Sequence, residues 1–293
     1  MKPPPFEYHA PESLAEGLDL LRRLGEDGKV LAGGQSLMPL LNLRLARPAH
    51  LIDINAFQEL SSIQPWDGGL QIGAMVRQRH AERSDLIRQR CPLLAEALPL
   101  IGHPQIRNRG TIGGSLAHAD PASELPAVVA ALDAELVLRN ADRERTVSAD
   151  AFFLGFFSTS VQPDELLTEV RLPAWPAGAG WSYLEVSRRH GDFAMVGVAS
   201  LLRVDSQGAI AEARLAYTGA APAPLRAREA ERQLVGQPAT SAVFADAAEV
   251  AARALDPQPD VHASAAYRRH VAGVLTRRAL AQAAARANAG GGA

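Results

Sequence analysis

Cysteine is almost missing: Cys91 stands alone among 293 residues. One thiol excludes an intrachain disulfide, a cysteine-ligated iron–sulfur cluster and a cysteine-rich zinc site within this chain. In "RQRCPLLAEALPLIG" it lies beside a leucine-rich face, which makes it a packed apolar thiol rather than a reactive one. An excess of one charge is also lacking. Thirty basic and 32 acidic side chains leave a formal net charge of −2, so there is no electrostatic footprint for nucleic acid or an anionic membrane surface. No apolar run approaches the roughly 18 residues of a membrane span, and "MKPPPFEYHAPES" carries no apolar core of an export signal. The expectation is a cytoplasmic chain, at most peripheral on the inner face of the membrane.

What is present is an ordinary globular composition, 47% hydrophobic and 21% charged, over a length sufficient for about two domains. "PESLAEGLDLLRRLGEDGK" sets Leu14, Leu18 and Leu21 at helical spacing, with Leu20 and Leu24 widening the stripe and Pro11 and Gly25 marking the ends. "KVLA" and "HLIDI" read as short strands. Between them "SLMPLLNLRLA" reads as a helix with Ser36 as N-cap, because Pro39 fits only a first turn. Strands alternating with helices predict a small, largely parallel sheet. Beyond residue 60, "GGLQIGAMV", "AELVLRN" and "DELLTEVRLP" read as strands around helical patches. The Pro/Gly cluster "LPAWPAGAG" marks a boundary near 172–180. "WSYLEVSRR", "FAMVGVASLLRV" and "IAEARLAYTG" then read as strands, followed by Ala/Arg-rich helices.

Two short segments repeat a pattern: "AGGQS" at 32–36 and "IGGS" at 112–115. A glycine pair after an apolar run serves a tight strand-to-helix turn, or it bares backbone N–H groups to an anion. Two such turns about 80 residues apart, with Ser36, Thr111 and Ser115 supplying hydroxyls, favour the second use: they would surround a diphosphate from two sides. Neither matches G-x-G-x-x-G or a phosphate loop with lysine, which disfavours a Rossmann or phosphoryl-transfer site.

"AGGQSLMPLLNLRLARP" and "IRNRGTIGGSLAHADPASELP", with "DELLTEVRLP" and "RRHGDFAMVGVA" downstream, resemble the FAD-binding medium subunit of the molybdenum hydroxylases, of the carbon monoxide dehydrogenase type. The similarity runs along essentially the whole chain. It implies an α+β fold of the vanillyl-alcohol-oxidase-like group. An FAD-binding domain at 1–176, with subdomains of about 1–57 and 58–176, would precede a C-terminal α+β domain at 177–286 and a flexible tail at 287–293. By position, Ala32, Gly33, Gly34, Gln35, Ser36 and Leu37 would wrap the FAD diphosphate from one side. Gly110, Thr111, Ile112, Gly113, Gly114 and Ser115 would do so from the other, with Ser115 where relatives often carry Asn.

Glu124 would bind hydroxyls of the flavin chain; read from the residue alone, it is equally a carboxylate favoured by a helix N-terminus. Asp192 and Phe193 would lie near the isoalloxazine ring. By residue type alone Phe193 is a core strand residue, and relatives often have Tyr there. The eight histidines show no H-x-x-x-H pair with a nearby ligand set, so no metal is expected. His118 is close enough to the second glycine turn for a cofactor contact. The basic run "YRRHVAGVLTRRALAQAAARA" reads as a packed helix with a wet face.

The resemblance further implies noncovalent FAD, with molybdopterin and [2Fe-2S] clusters confined to a large and a small partner subunit. Electrons would enter from the clusters and leave to an external acceptor. Two other functions remain open from the residues: a self-contained FAD-dependent oxidoreductase and a non-redox nucleotide-binding scaffold.

Overall fold

The computed structural model describes residues 2–290. The first unit runs β1 (Glu7–His9), α1 (Leu14–Leu24), β2 (Gly28–Leu31), α2 (Leu37–Asn42), β3 (His50–Asp53). Its strands form a parallel sheet in the order β1-β3-β2. Helix α1 is specified at both ends: Ser13 Oγ accepts from Glu16 N at 3.3 Å, and Gly25 closes it at φ 52°. Its buried leucines, 14, 18, 20 and 21, share one core with Ile52, Ile54 and Phe57. Helix α2 is shorter than its apolar pattern, stopping at Asn42 before Arg44 turns to φ 59°. Ser36 occupies the N-cap position but its side chain makes no capping bond.

The second unit is built on β4 (Ile63–Trp66), β5 (Gly69–Gly73), β6 (Glu135–Arg139), β7 (Glu144–Ser148), the hairpin β8 (Phe153–Gly155) and β9 (Ser158–Thr159), and β10 (Leu166–Leu172). Strands β4-β5-β10-β6-β7 make one antiparallel sheet. Between β5 and β6 come α3 (Gln78–Arg83), α4 (Asp85–Arg90), α5 (Pro92–Ala97), α6 (Pro104–Arg109), α7 (Ile112–His118) and α8 (Glu124–Ala131); α9 (Ala149–Phe152) precedes β8. All eight residues of α8 are buried, the signature of a helix run through the interior. Cys91 lies in that core, and burial pushes its thiol up to about 12, as expected of a packed apolar cysteine. One expectation fails here. Gly113 and Gly114 are not a turn before a helix but the first turn of α7 itself, capped by Thr111 Oγ1, which accepts from Gly114 N at 3.0 Å.

The third unit is an antiparallel sheet, β11 (Gly180–Val186), β12 (Val196–Val204), β13 (Ile210–Thr218) and β14 (Leu225–Arg226). It is backed by α10 (Arg228–Leu234), α11 (Ser241–Ala254) and α12 (Ala265–Gly290). Helix α12 lies so close to the sheet that a Cβ on Gly180 would collide with the Ala283 carbonyl. It is helical through Gly290, and Ala287 is buried, so the tail expected from 287 begins as packed helix; 291–293 lie outside the described residues. This unit is keyed to α8. Arg226 donates to Ala130 O and Asp133, each at 2.8 Å, and Thr218 Oγ1 donates to Pro121 O at 2.8 Å. Among the described residues no helix is long and apolar enough to cross a membrane.

Candidate flavin site

The two glycine segments meet. A Cβ on Gly33 would collide with Arg109 O and sit 2.8 Å from Gly110 Cα, so the first segment lies backbone to backbone on the residues that open the second. A Cβ on Gly114 would come 3.6 Å from the Ala32 Cβ. Each glycine has its own reason. Gly34 has φ 73°, a left-handed conformation that strains any side chain. Gly113 is held by the sheet: its N–H donates to Ala74 O at 2.8 Å, and a Cβ would stand 2.8 Å from Ala74 Cα. At Gly33 and Gly113 the missing side chain leaves room for the protein's own backbone.

The segments also differ in what they offer. On the second, Ile112 N–H donates to Val76 O at 2.9 Å, Gly113 N–H to Ala74 O, Gly114 N–H to Thr111 Oγ1 and Ser115 N–H to Thr111 O at 3.2 Å. On the first, among the described residues, the N–H groups of Gly33, Gly34, Gln35, Ser36 and Leu37 have no protein acceptor. Five consecutive N–H groups at a strand-to-helix junction are thus left without a protein acceptor. Gln35 turns its amide back to Gly33 O at 3.0 Å, which stiffens the loop.

A polar relay with no signal in the sequence clamps one segment to the other. Asn55 Nδ2 donates to Ala32 O at 3.0 Å; Arg77 donates to Asn55 Oδ1 at 2.6 Å and, from its other nitrogen, to Arg109 O. Burial, and then the neighbouring Arg109 charge, depress the Arg77 guanidinium's pKa. Asp53 completes the group. Burial raises its carboxyl, but hydrogen bonds from Tyr8 and Asn55 and the Arg109 charge hold it below the usual carboxylate range. Arg77 and Arg109 outnumber the Asp53 carboxylate in this group, which leaves it with an excess positive charge.

Of the other expected site residues, Ala32, Gly34, Gln35, Ser36, Leu37, Gly114 and Ser115 are partly accessible, whereas Gly33, Gly110, Thr111, Ile112 and Gly113 are buried beneath them. Glu124 is the first residue of α8, 3% exposed, and its carboxyl is raised to about 7, by burial first and then by Asp120. It lies in the electrostatic reach of Glu185, raised to about 8 by burial and by Glu124 itself. Phe193 is no core strand residue: it is 57% exposed on the loop between β11 and β12, with Asp192 beside it. That loop rests on His103, which precedes α6; a Cβ on Gly191 would stand 2.6 Å from His103 Nδ1. One six-residue helix therefore separates the loop's footing from Gly110. His118 is half-buried against Phe157, ring centroids 5.1 Å apart, and burial lowers its pKa.

A glycine loop with unengaged N–H groups, clamped to a second glycine segment between a parallel and an antiparallel sheet, is an arrangement open to phosphate oxygens that lacks the Rossmann fingerprint. Residues 4–175 match the family described as "FAD binding domain in molybdopterin dehydrogenase", and residues 181–283 match "CO dehydrogenase flavoprotein C-terminal domain". The 6-hydroxypseudooxynicotine dehydrogenase complex subunit alpha of Paenarthrobacter nicotinovorans is 45% identical over 98% of this chain and 97% of its own length. The carbon monoxide dehydrogenase medium chain of Hydrogenophaga pseudoflava is 43% identical over 98% and 99%. A solved structure of carbon monoxide dehydrogenase from that organism superposes with a TM-score of 0.95, covering 98% of this chain and 99% of that one. The chain belongs to the FAD-binding medium subunits of the molybdenum hydroxylases, flavoprotein components of molybdenum-containing oxidoreductases.

Proposed function

We propose that this chain is the electron-transfer flavoprotein of a complex whose large subunit carries molybdopterin and whose small subunit carries [2Fe-2S] clusters. The observation that carries the reading is the row of free N–H donors at Gly33–Leu37, clamped against Arg109–Gly110 and flanked by Arg77. It suits an FAD diphosphate held without a covalent bond. Ala32, Gly33, Gly34, Gln35, Ser36 and Leu37 would supply the main cradle. Gly110, Thr111, Ile112, Gly113, Gly114 and Ser115 would form its opposite wall, giving shape more than donors. Glu124, at the junction with the third unit, would accept from flavin-chain hydroxyls. Asp192 and Phe193 would border the ring, where the exposed Phe193 face suits stacking. The natural division is 1–176 for FAD and 177–286 for the C-terminal domain.

FAD accepts or gives one electron or two, which suits a carrier between one-electron clusters and an external acceptor. This chain's residues bind and orient it. With one buried cysteine the chain cannot ligate clusters itself, which favours separate iron–sulfur and molybdopterin subunits and a cytoplasmic location. Relatives whose names specify 6-hydroxypseudooxynicotine and carbon monoxide stand at nearly equal identity, which supports a substrate chosen outside this chain, in the large subunit.

The test compares the purified chain with the assembled complex. The isolated chain should bind FAD and leave it oxidised when the complex's substrate is added, whereas the complex should bleach it. Bleaching by substrate in the isolated chain would make it a self-contained oxidoreductase, and a chain that takes up ADP but not FAD would make it a nucleotide scaffold.

A further inference from the structure

Away from the flavin site, the start of the parallel sheet gathers three side chains that a search along the sequence cannot pair. Strands β1 and β3 run parallel with Glu7 opposite His50. Paired residues, and residues two apart on one strand, face the same side, so Glu7, His9 and His50 project together. His9 Nε2 lies 3.1 Å from His50 Nδ1. The Glu7 carboxylate reaches over both, Oε1 at 3.7 Å from His9 Nε2 and Oε2 at 3.5 Å from His50 Nδ1.

A carboxylate bonded to an imidazole N–H sits at roughly 2.7–2.9 Å; here it stands off both rings, and one donor atom from each of the three residues lies within 4.8 Å of the other two. A tetrahedral zinc with ligands at about 2.0–2.1 Å separates neighbouring ligand atoms by about 3.3 Å, within the observed range of 3.1–3.7 Å. Two imidazoles and a carboxylate are zinc-type donors, whereas Mg²⁺ and Ca²⁺ prefer all-oxygen sets. Each ring, when neutral, turns one unprotonated nitrogen inward by choice of tautomer.

We propose that Glu7, His9 and His50 form a Zn²⁺ site with water in the fourth position. Among the described residues no fourth protein donor joins them. The ion ties the three-residue edge strand β1 to the central strand β3. The other neighbour of β3 is β2, which runs directly into the donor loop. The site requires nothing of the flavin reading.

The test uses the full-length, tag-free chain, stripped with a chelator and titrated calorimetrically with ZnCl₂. One equivalent should bind, MgCl₂ should not bind, and His9→Gln and His50→Gln should each weaken Zn²⁺ by at least about tenfold, as expected when one of three donors is lost. Co²⁺ in place of Zn²⁺ should give a tetrahedral visible spectrum that both variants abolish. Far-UV circular dichroism and flavin content, unchanged in the variants, separate loss of the site from loss of the fold. Absence of saturable Zn²⁺ binding, or binding that both variants leave intact, overturns the proposal.

Discussion

Replacing Arg77 with methionine tests the clamp between the glycine segments. The side chain is half-buried, and methionine keeps its apolar stem while removing two donor contacts, one to Asn55 Oδ1 at 2.6 Å and one to Arg109 O. Hydrogen bonds from a charged donor contribute about 1.5–3 kcal/mol each. Part of that loss falls on folding, since Arg77 lies between α3 and the second segment, and part on the loop that would hold FAD. Assigning half of one to two such bonds to the loop gives about 1–2 kcal/mol, which is roughly 5–30-fold in the FAD dissociation constant. Titrating apo-protein with FAD by fluorescence quenching measures it, with thermal melting as the control. Arg77→Lys should recover little, because an ammonium retains the charge without the fork that spans two acceptors. An Arg77→Met dissociation constant within twofold of wild type, in a variant that folds, would refute the clamp.

Gly33→Ala should cost about 1–3 kcal/mol by overpacking against Arg109 and Gly110, read as a lower melting temperature together with lost flavin. Gly113→Ala should destabilise similarly through Ala74, with loss of flavin following loss of fold. Glu124 and Glu185 carry carboxyls raised to about 7 and about 8. The native state therefore binds more protons than the unfolded chain between the ordinary carboxylate range and those values, and stability falls as pH rises through that window, by up to about 1.4 kcal/mol per unit per proton. Denaturant melts at pH 5.5 and 8 should show the fall, and Glu185→Gln should flatten it. Cys91, buried with its thiol near 12, should resist Ellman's reagent in the native protein and react on unfolding.

Sequence periodicity reveals elements whose apolar stripe is long enough to repeat. Helix α1 is legible from five leucines and two boundary residues, and the interior strands from their apolar runs. Strand β1 has three residues, too few for an alternation to register, and β7 has no buried residue, its exposed polar positions alternating with half-buried Arg145 and Val147. The glycine segments are visible as a pair, yet their division of labour is not. Glycine disfavours a helix interior, so Gly113–Gly114 reads as a turn until the contact with Ala74 shows why the first turn of α7 needs it. Asn55 and Arg77 are ordinary polar residues in loops, and only the tertiary approach of Ala32 to Arg109 gives them a task. Phe193 misleads by type: apolar residues are commonly buried, but this one sits on a loop that leaves β11 before turning back into β12.

The most direct measurement is an experimental structure of the flavin-loaded chain in its complex. At least two of the Gly34–Leu37 N–H groups should lie within about 3.2 Å of phosphate oxygens, with Phe193 beside the ring. A diphosphate bound elsewhere, with those N–H groups facing only solvent, would contradict the account.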